Sequence, residues 1–323
     1  MRYLVTLTPL EPFFFGGDKT FGTLGDKENG TYLVKSRYFP QQTALLGMIR
    51  KEMLIQKGYL TTKLKGEWID APLKKEAREF IGDSKFEFDT NQEFGVLKTL
   101  SAIFLLKDNQ KIIKKVDIDS CEFVLDEGRY PLLKNYNPKN DIYDNFISID
   151  NGKCFKTEEI FREVEQVGNS KFDSQDSLFK RTSYLLKDNF KFAFYIESEF
   201  ELKDSFVTLG AEKSTFKMEV TPSSEYLDYE DKNGYLTLLS DSYITLPIKE
   251  HCDFAITSEI SFNYLQNEFR DNKKVFKKSN RVRFLYEKGS VFINPKQELI
   301  DNLNNPNLQT IGLNQHSYQK GEI

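Results

Sequence analysis

The chain has 323 residues, 39% hydrophobic and 14% aromatic, with 45 basic and 49 acidic side chains and a formal net charge of −4. That length suits one large or two ordinary domains, and the unremarkable Pro and Gly content excludes a linker or a fibre. A near-balanced charge also excludes a free-standing binder of bulk duplex DNA, which carries a clear basic excess, but it leaves room for local basic stripes.

From the N-terminus, Arg2 to Leu10 alternates in the manner of a strand, with apolar residues on both faces that suit a central position. The stretch lacks a continuous apolar segment and a small-residue cleavage site, so a signal peptide is not expected. A loop punctuated by Gly16, Gly17, Gly22, Gly25 and Gly30 follows, then a short strand at Thr31 to Lys35. Pro40 opens a helix expected from Gln41 to Lys57, stopped by Gly58, with Leu45, Met48, Ile49 and Met53 along one face. A second helix is expected within Lys65 to Ile81. Thr99 to Leu106 and Cys121 to Leu125 read as strands, and Tyr130 to Asp150 as loop. Thr157 heads the segment TEEIFREVEQVG like an N-cap with an acidic first turn, so a helix is expected there.

From Ser183 onward the pattern is mainly strand. Phe190 to Glu197, Phe206 to Leu209, Phe216 to Val220, Leu236 to Leu246, Phe254 to Thr257 and Ile260 to Tyr264 are expected strands. Val282 to Leu285 and Ser290 to Ile293 read as a hairpin turning at Lys288 and Gly289. Helices and strands mix without regular alternation, which favours an α+β class over a doubly wound sheet.

Little in the chain suggests catalysis. Cys121, Cys154 and Cys252 are scattered and form no CxxC pair, so neither a zinc site nor a disulfide framework is expected, and the odd count suits a reducing, cytoplasmic setting. No run approaches a membrane span. With only His251 and His316, a histidine metal cluster is excluded, and no cofactor is implied. No GxSxG, Walker loop, HExxH or paired-carboxylate pattern occurs.

The binding signals are local. The start of the Gln41 helix offers unsatisfied N–H groups, and Gln41, Gln42 and Thr43 add side-chain donors suited to a phosphate. Gly47 costs about 1 kcal/mol relative to Ala in a helix interior, and it admits a close neighbour or ligand; Arg50 lies one turn on. An ordinary amphipathic helix packed on a sheet is the competing reading. Phe13 to Gly22 puts aromatics beside Gly16, Gly17, Lys19, Thr20 and Phe21, a mixture that suits single-stranded nucleic acid, or alternatively a buried apolar loop. Lys273 to Arg283 holds six basic residues and no acid. In a strand Arg281 and Arg283 share a face and would aim at one phosphate track, although a lysine-rich edge that blocks aggregation explains the same residues. Lys180 and Arg181 precede a strand, and Gly210 and Lys213 mark a turn. Asn314 and His316 sit in the last glycine-bearing loop, where His316 is either a general base for RNA cleavage or a hydrogen-bonded loop residue.

Taken together, EPFFFGGDKTFG (Glu11 to Gly22) and YFPQQTALLGMIR (Tyr38 to Arg50) resemble the start of RAMP-superfamily CRISPR proteins, most of all the third subunit of the type III-B (Cmr) effector complex. FKRTSY (Phe179 to Tyr184), the turn Leu209 to Lys213, the strand Gly289 to Phe292 and the loop Gly312 to Gly321 extend the resemblance, which thins between Asp83 and Ser174. It implies two ferredoxin-like (RRM-like) folds in tandem, at 1–175 with an insertion near 83–174, and at 176–323. It further implies a non-catalytic subunit that binds the 5′ handle of the guide RNA. Such a subunit would dock on the large polymerase-like subunit beside the backbone subunits. Alternatives are a metal-independent guide-processing endoribonuclease using His316 or His251, a type III-A counterpart, and a β-rich protein that binds no RNA.

Overall fold

The computed structural model describes residues 1–17, 19–21, 32–63, 66–69, 71–83, 85–118, 121–126, 130–137, 142, 145–170, 177–210, 213–270 and 273–318. Two compact units emerge. One comprises Met1–Ile112, Phe146–Leu227 and Thr310–Gly312, and the other Ile113–Asn145, Asp228–Gln309 and Leu313–Ile323. This division differs from the expected one at 175/176. The second unit begins far earlier, and the chain crosses between units several times.

The first unit is built on a nine-stranded sheet in the order Cys154–Lys156, Asn145–Ser148, Gln110–Lys114, Phe104–Lys107, Phe190–Ser198, Arg2–Pro9, Ser214–Pro222 and Ser205–Leu209, with Leu97–Leu100 also on Phe190–Ser198. Arg2–Pro9 is central, as its two-sided apolar pattern implies. It pairs antiparallel with Phe190–Ser198 and Ser214–Pro222, so that Val5 stands opposite Phe194 and Val220. Tyr3, Val5 and Leu7 are buried, while Leu4, Thr6 and Thr8 are only half-buried. The helix Gln42–Gln56 matches its expected span, and Leu45, Ile49 and Met53 are fully buried. Burying each such side chain contributes about 1.5–3 kcal/mol.

A smaller four-stranded sheet runs Phe161–Ser170, Ser177–Leu186, Tyr32–Lys35 and Lys19–Phe21, with its middle pair parallel. Here the expected helix after Thr157 is corrected. Only Thr157–Ile160 is helical, one turn in which Glu159 accepts from the Lys156 backbone N–H at 2.8 Å. Phe161–Ser170 is then a strand paired along its length with Ser177–Leu186, and this long-range ladder overrides the local acidic start signal. Similarly, Lys65 to Ile81 divides into a strand Gly66–Ile69, a 3₁₀ turn Ala71–Leu73 around Pro72 and a helix Lys74–Ile81.

The second unit holds a four-stranded sheet in the order Phe254–Ile256, Val291–Ile293, Leu236–Leu238 and His316–Ser317. Leu236, Leu238, Ile244, Cys252 and Phe292 form its core with Leu299 and Leu303 of the helix Gln297–Leu303, an element without a sequence expectation. The expected hairpin between Val282 and Ile293 is not formed. Val291–Ile293 pairs with Leu236–Leu238 and Phe254–Ile256. Lys273–Tyr286 instead pairs with Glu259–Arg270 as a long two-stranded ribbon. The region 130–150, expected as loop, contributes the strands Tyr130–Lys134 and Asn145–Ser148. The class is α+β with mostly antiparallel sheets, as the mixed element pattern implies.

Candidate nucleic-acid interface

The N-terminal loop is anchored by its aromatics. Phe13, Phe14 and Phe15 are all buried. The rings of Phe13 and Phe15 lie 4.6 Å apart, and Phe13 meets Phe192 edge-on at 5.3 Å. Phe13 exchanges backbone hydrogen bonds with Tyr184, at 2.8 and 3.0 Å, which ties the loop to the strand Ser177–Leu186. The core-loop reading of these residues therefore prevails over the base-stacking one.

Around that anchor the structure gathers several residues that the sequence singles out separately. The Arg181 guanidinium lies 5.4 Å from the centroid of the Phe14 ring and bonds to Gln166. The Gly210 turn closes over the same segment. Gly210 has φ +93°, and a Cβ there would stand 2.6 Å from the Phe14 carbonyl, so a side chain is excluded. Lys213 follows at φ +56° and is exposed, and its N–H donates to the Gly210 carbonyl at 3.2 Å. Ser214 Oγ donates to the Pro12 carbonyl at 3.1 Å. Gly16 sits at φ +80° with open space beyond its Cα. Gly17 instead packs against the chain itself, since a Cβ would fall 1.7 Å from the Lys35 carbonyl. Gly17 and Gly210 thus both allow backbone to pack on backbone. Lys19, Thr20 and Phe21 form a strand on Tyr32–Lys35, and their side chains lie outside the described residues, as do Gly22, Gly25 and Gly30.

The cations here are matched by acids. Lys180 pairs with Glu165 at 2.6 Å, and Lys35 with Glu163 at 2.9 Å. Both pairs are about half exposed, so they contribute little to stability and are open to exchange with another anion.

Three residues expected at the interface lie in the interior instead. Arg50 is only 8% exposed, and its Nη1 donates to the Asp83 carbonyl at 2.7 Å. Burial pulls its pKa down to about 10, against the opposing pull of Asp83. It lies on a buried side of the helix and not on the open side marked by Ala44 and Gly47. Gln42 is buried and donates through Nε2 to the Ser101 carbonyl at 2.6 Å. Gly312, at φ +82°, lies directly on that amide, so the start of the helix and the late glycine loop do meet. Asn314 is fully buried in the second unit. Its Oδ1 accepts from Tyr243 N–H at 2.7 Å and its Nδ2 donates to the Tyr243 carbonyl at 3.3 Å. Gln41 precedes the helix without a capping bond from its side chain and is half-buried, as is Thr43, while Gly47 is exposed with nothing near it.

In the second unit, Arg283 Nη1 donates to the Tyr243 hydroxyl at 2.7 Å. The ladder shifts register between Asn263 and Leu265, so residues 279–281 stand opposite Tyr264 alone. The expected Arg281/Arg283 alternation is therefore interrupted by a bulge, and the Arg281 side chain lies outside the described residues. His316 Nδ1 is 3.0 Å from the Asn314 carbonyl, and burial holds the imidazole below its ordinary pKa. Among the described residues no group of three or more His, Cys, Asp or Glu side chains could hold a metal ion, and no helix is long and apolar enough to cross a membrane.

Residues 5–111 match the family model CRISPR-associated protein (Cas_Cmr3). No curated protein matches the chain. Among solved structures, a chain of the cryo-EM structure of the Type III-B Cmr-beta bound to cognate target RNA is similar over 98% of this chain and 96% of that one, with TM-score 0.55 and 16% identity. A chain of the Cmr-beta structure bound to cognate target RNA and AMPPnP, state 1, is similar over the same shares, with TM-score 0.53 and 15% identity. These identities speak to fold alone; the family model covers the first third of the chain, and the likeness of fold nearly its whole length.

Proposed function

We propose that this chain is a structural, non-catalytic subunit of a type III RNA-guided effector complex in the cytoplasm. It binds the 5′ handle of the guide RNA, docks on the large polymerase-like subunit beside the backbone subunits, and so supports antiviral defence. In this reading its two units are tandem ferredoxin-like folds. The observation that carries the reading is the Cas_Cmr3 match over residues 5–111, which spans the Phe13–Gly17 anchor and the helix that follows it.

The physical basis is single-strand recognition by loops and not readout of a groove. Gly16, Lys180, Arg181, Lys213 and Arg283 are the described residues best placed to offer backbone and cationic contacts. The half-exposed pairs of Lys180 and Lys35 with glutamates exchange a carboxylate for a phosphate at little net cost. Near-neutral overall charge suits a subunit that turns one face to RNA and others to protein.

Copurification of the subunit with its complex, followed by sequencing of the bound RNA, tests this. A shared 5′ sequence protected by this chain is expected, together with binding that weakens as salt rises. Recovery of no RNA, or salt-independent binding, would refute it. His316 gives the enzymatic alternative a direct trial: His316→Ala is expected to leave guide-RNA length unchanged, and longer guides in that variant would establish the nuclease.

A further inference from the structure

One interior side chain of the first unit is left with unanswered donors. Arg50 stands on the helix Gln42–Gln56 at 8% exposure. Its Nη1 donates to the Asp83 carbonyl at 2.7 Å. Its Nε and Nη2 are shut away from solvent and meet no acceptor among the described residues. The Phe94 ring, its centroid 5.3 Å from the guanidinium carbon, offers a face to the charge but no lone pair to the N–H groups. The Asp83 carboxylate acts on Arg50 through space, while its Oδ2 accepts from the Glu93 N–H at 3.0 Å.

The surroundings of this edge are rigid. Gly82 and Gly95 pass with backbone against backbone: a Cβ on Gly82 would stand 2.1 Å from the Glu93 carbonyl oxygen, and one on Gly95 2.2 Å from that of Phe80. The Asp83 N–H donates to the Glu93 carbonyl at 2.8 Å and the Val96 N–H to the Phe80 carbonyl at 2.9 Å. Asp83 and Phe94 are thus clasped at the two ends of one segment, and the backbone cannot swing to answer the remaining donors. On the helix, Gly47 lies one turn before Arg50, with nothing within 4 Å of where its Cβ would be. Helical side chains lean toward the N-terminus, so the stem of Arg50 runs over that turn, and the missing side chain leaves room there for a small group.

We propose that the Nε–Nη2 edge of Arg50 is a seat for one carboxylate, held by two parallel hydrogen bonds. These two nitrogens form the side of the guanidinium whose donors match the two oxygens of a carboxylate. A buried cation without a charged hydrogen-bond partner is costly to keep. A water would satisfy the donors and leave the charge, whereas a carboxylate answers both. The charge count selects a monoanion, since one guanidinium beside Asp83 offsets a single negative charge and a phosphate dianion would add an excess. Depth excludes the backbone of a nucleic acid, because a sugar–phosphate chain is too thick to reach a group 8% exposed and a carboxylate on a thin stem is not. The carboxylate is that of a free small acid or of an acidic side chain from another protein. This inference is independent of the RNA-binding reading.

The test follows the arginine Nε–H signals of the full-length chain, labelled with ¹⁵N in arginine alone, as sodium acetate is added at constant ionic strength. Contacts with the Phe94 ring identify the Arg50 signal without recourse to a variant. It is expected to shift and saturate at about 1–10 mM acetate, the range open to a ligand of four heavy atoms. The melting temperature of the wild type should rise over the same range, and that of Arg50→Lys, which keeps the charge but lacks the two-pronged edge, should not. Glutamate blocked as amides at both backbone ends separates the sources: binding equal to that of acetate assigns the seat to a side chain, and binding of acetate alone assigns it to a free acid. An Arg50 signal that stays still, or drifts without saturating, would overturn the proposal in favour of water. Tighter binding of inorganic phosphate than of acetate would overturn the choice of a carboxylate.

Discussion

Replacing Gly312 by alanine probes the junction between the late glycine loop and the start of the helix Gln42–Gln56. At φ +82° an L-residue costs about 1–2 kcal/mol in backbone strain. The added methyl would stand 2.2 Å from Gln42 Nε2, 2.5 Å from the Ser101 carbonyl oxygen and 2.8 Å from that of Leu100. Ser101 is held by its N–H, which donates to the Tyr195 carbonyl at 2.8 Å, so the backbone at Gly312 must shift away from the two carbonyls, and the third group that must yield is the side-chain amide of Gln42. Its displacement breaks the 2.6 Å bond to Ser101 and leaves buried polar atoms short of a partner, at about 1–3 kcal/mol. Gly312→Ala should therefore destabilise the protein by about 2–4 kcal/mol, read from urea unfolding followed by circular dichroism. Gln42→Ala removes the yielding group. If the loss runs through that amide, the double variant should lose less than the sum of the two singles by about 1 kcal/mol. A Gly312→Ala protein within about 0.5 kcal/mol of the wild type, or a strictly additive cycle, would refute the reasoning.

Two further outcomes follow from the second unit. Asp231 accepts from Lys115 at 2.9 Å, Tyr229 at 3.2 Å and Thr237 at 3.3 Å, with both charged side chains almost fully buried. Asp231→Asn removes the carboxylate that Lys115 meets and should cost about 3–5 kcal/mol in denaturant melts, whereas replacing both partners by apolar residues should cost much less. Lys288 is buried, and burial pulls its pKa from 10.5 to about 8 against the pull of Asp241 and Glu287. Between about pH 8 and 10.5 the unfolded chain then carries a proton that the folded chain lacks, so this group makes stability rise with pH. Melting temperatures across that window should lose this rise in Lys288→Met, and an unchanged slope would rule out the lysine as its source.

The legible parts of the fold were those where local pattern and tertiary demand agree. Arg2–Pro9 carries its central position in its two-sided apolar pattern, and the helix Gln42–Gln56 carries its span in periodicity and its flanking Pro40 and Gly58. Phe161–Ser170 was hidden because its acidic start reads as a helix terminus, while the partner that makes it a strand lies in the following segment, Ser177–Leu186. Val291–Ile293 was misplaced for a related reason. A turn at Gly289 is real, but the pairing partner is fixed by burial of Phe292 against Leu236 and Leu238, far away in sequence. Short apolar runs do not specify which other run completes their sheet.

Site residues were harder because chemistry-bearing types also serve the interior. Gln42, Arg50 and Asn314 look like donors for a ligand, and each gives a side-chain N–H to a carbonyl of the chain. Depth within a helix face is set by what packs over it, and nothing in the spacing of Gly47 and Arg50 reveals the loop that reaches Arg50 through Asp83. The exposed ring of Phe284 had the opposite fate. It sits in a segment where the basic residues draw attention, and only the register of the ribbon shows that it faces solvent.

The near-neutral total charge is reached unevenly. In the first unit, Lys35, Lys180, Lys111, Lys191 and Lys217 each meet a glutamate within 3 Å. Glu219 takes two of these lysines at once, and their hydrogen bonds hold its carboxyl below the usual range. Such exposed pairs add little stability, yet each cancels the field of a cation at a distance. The strands of the second unit's ribbon hold seven basic residues against two acidic ones.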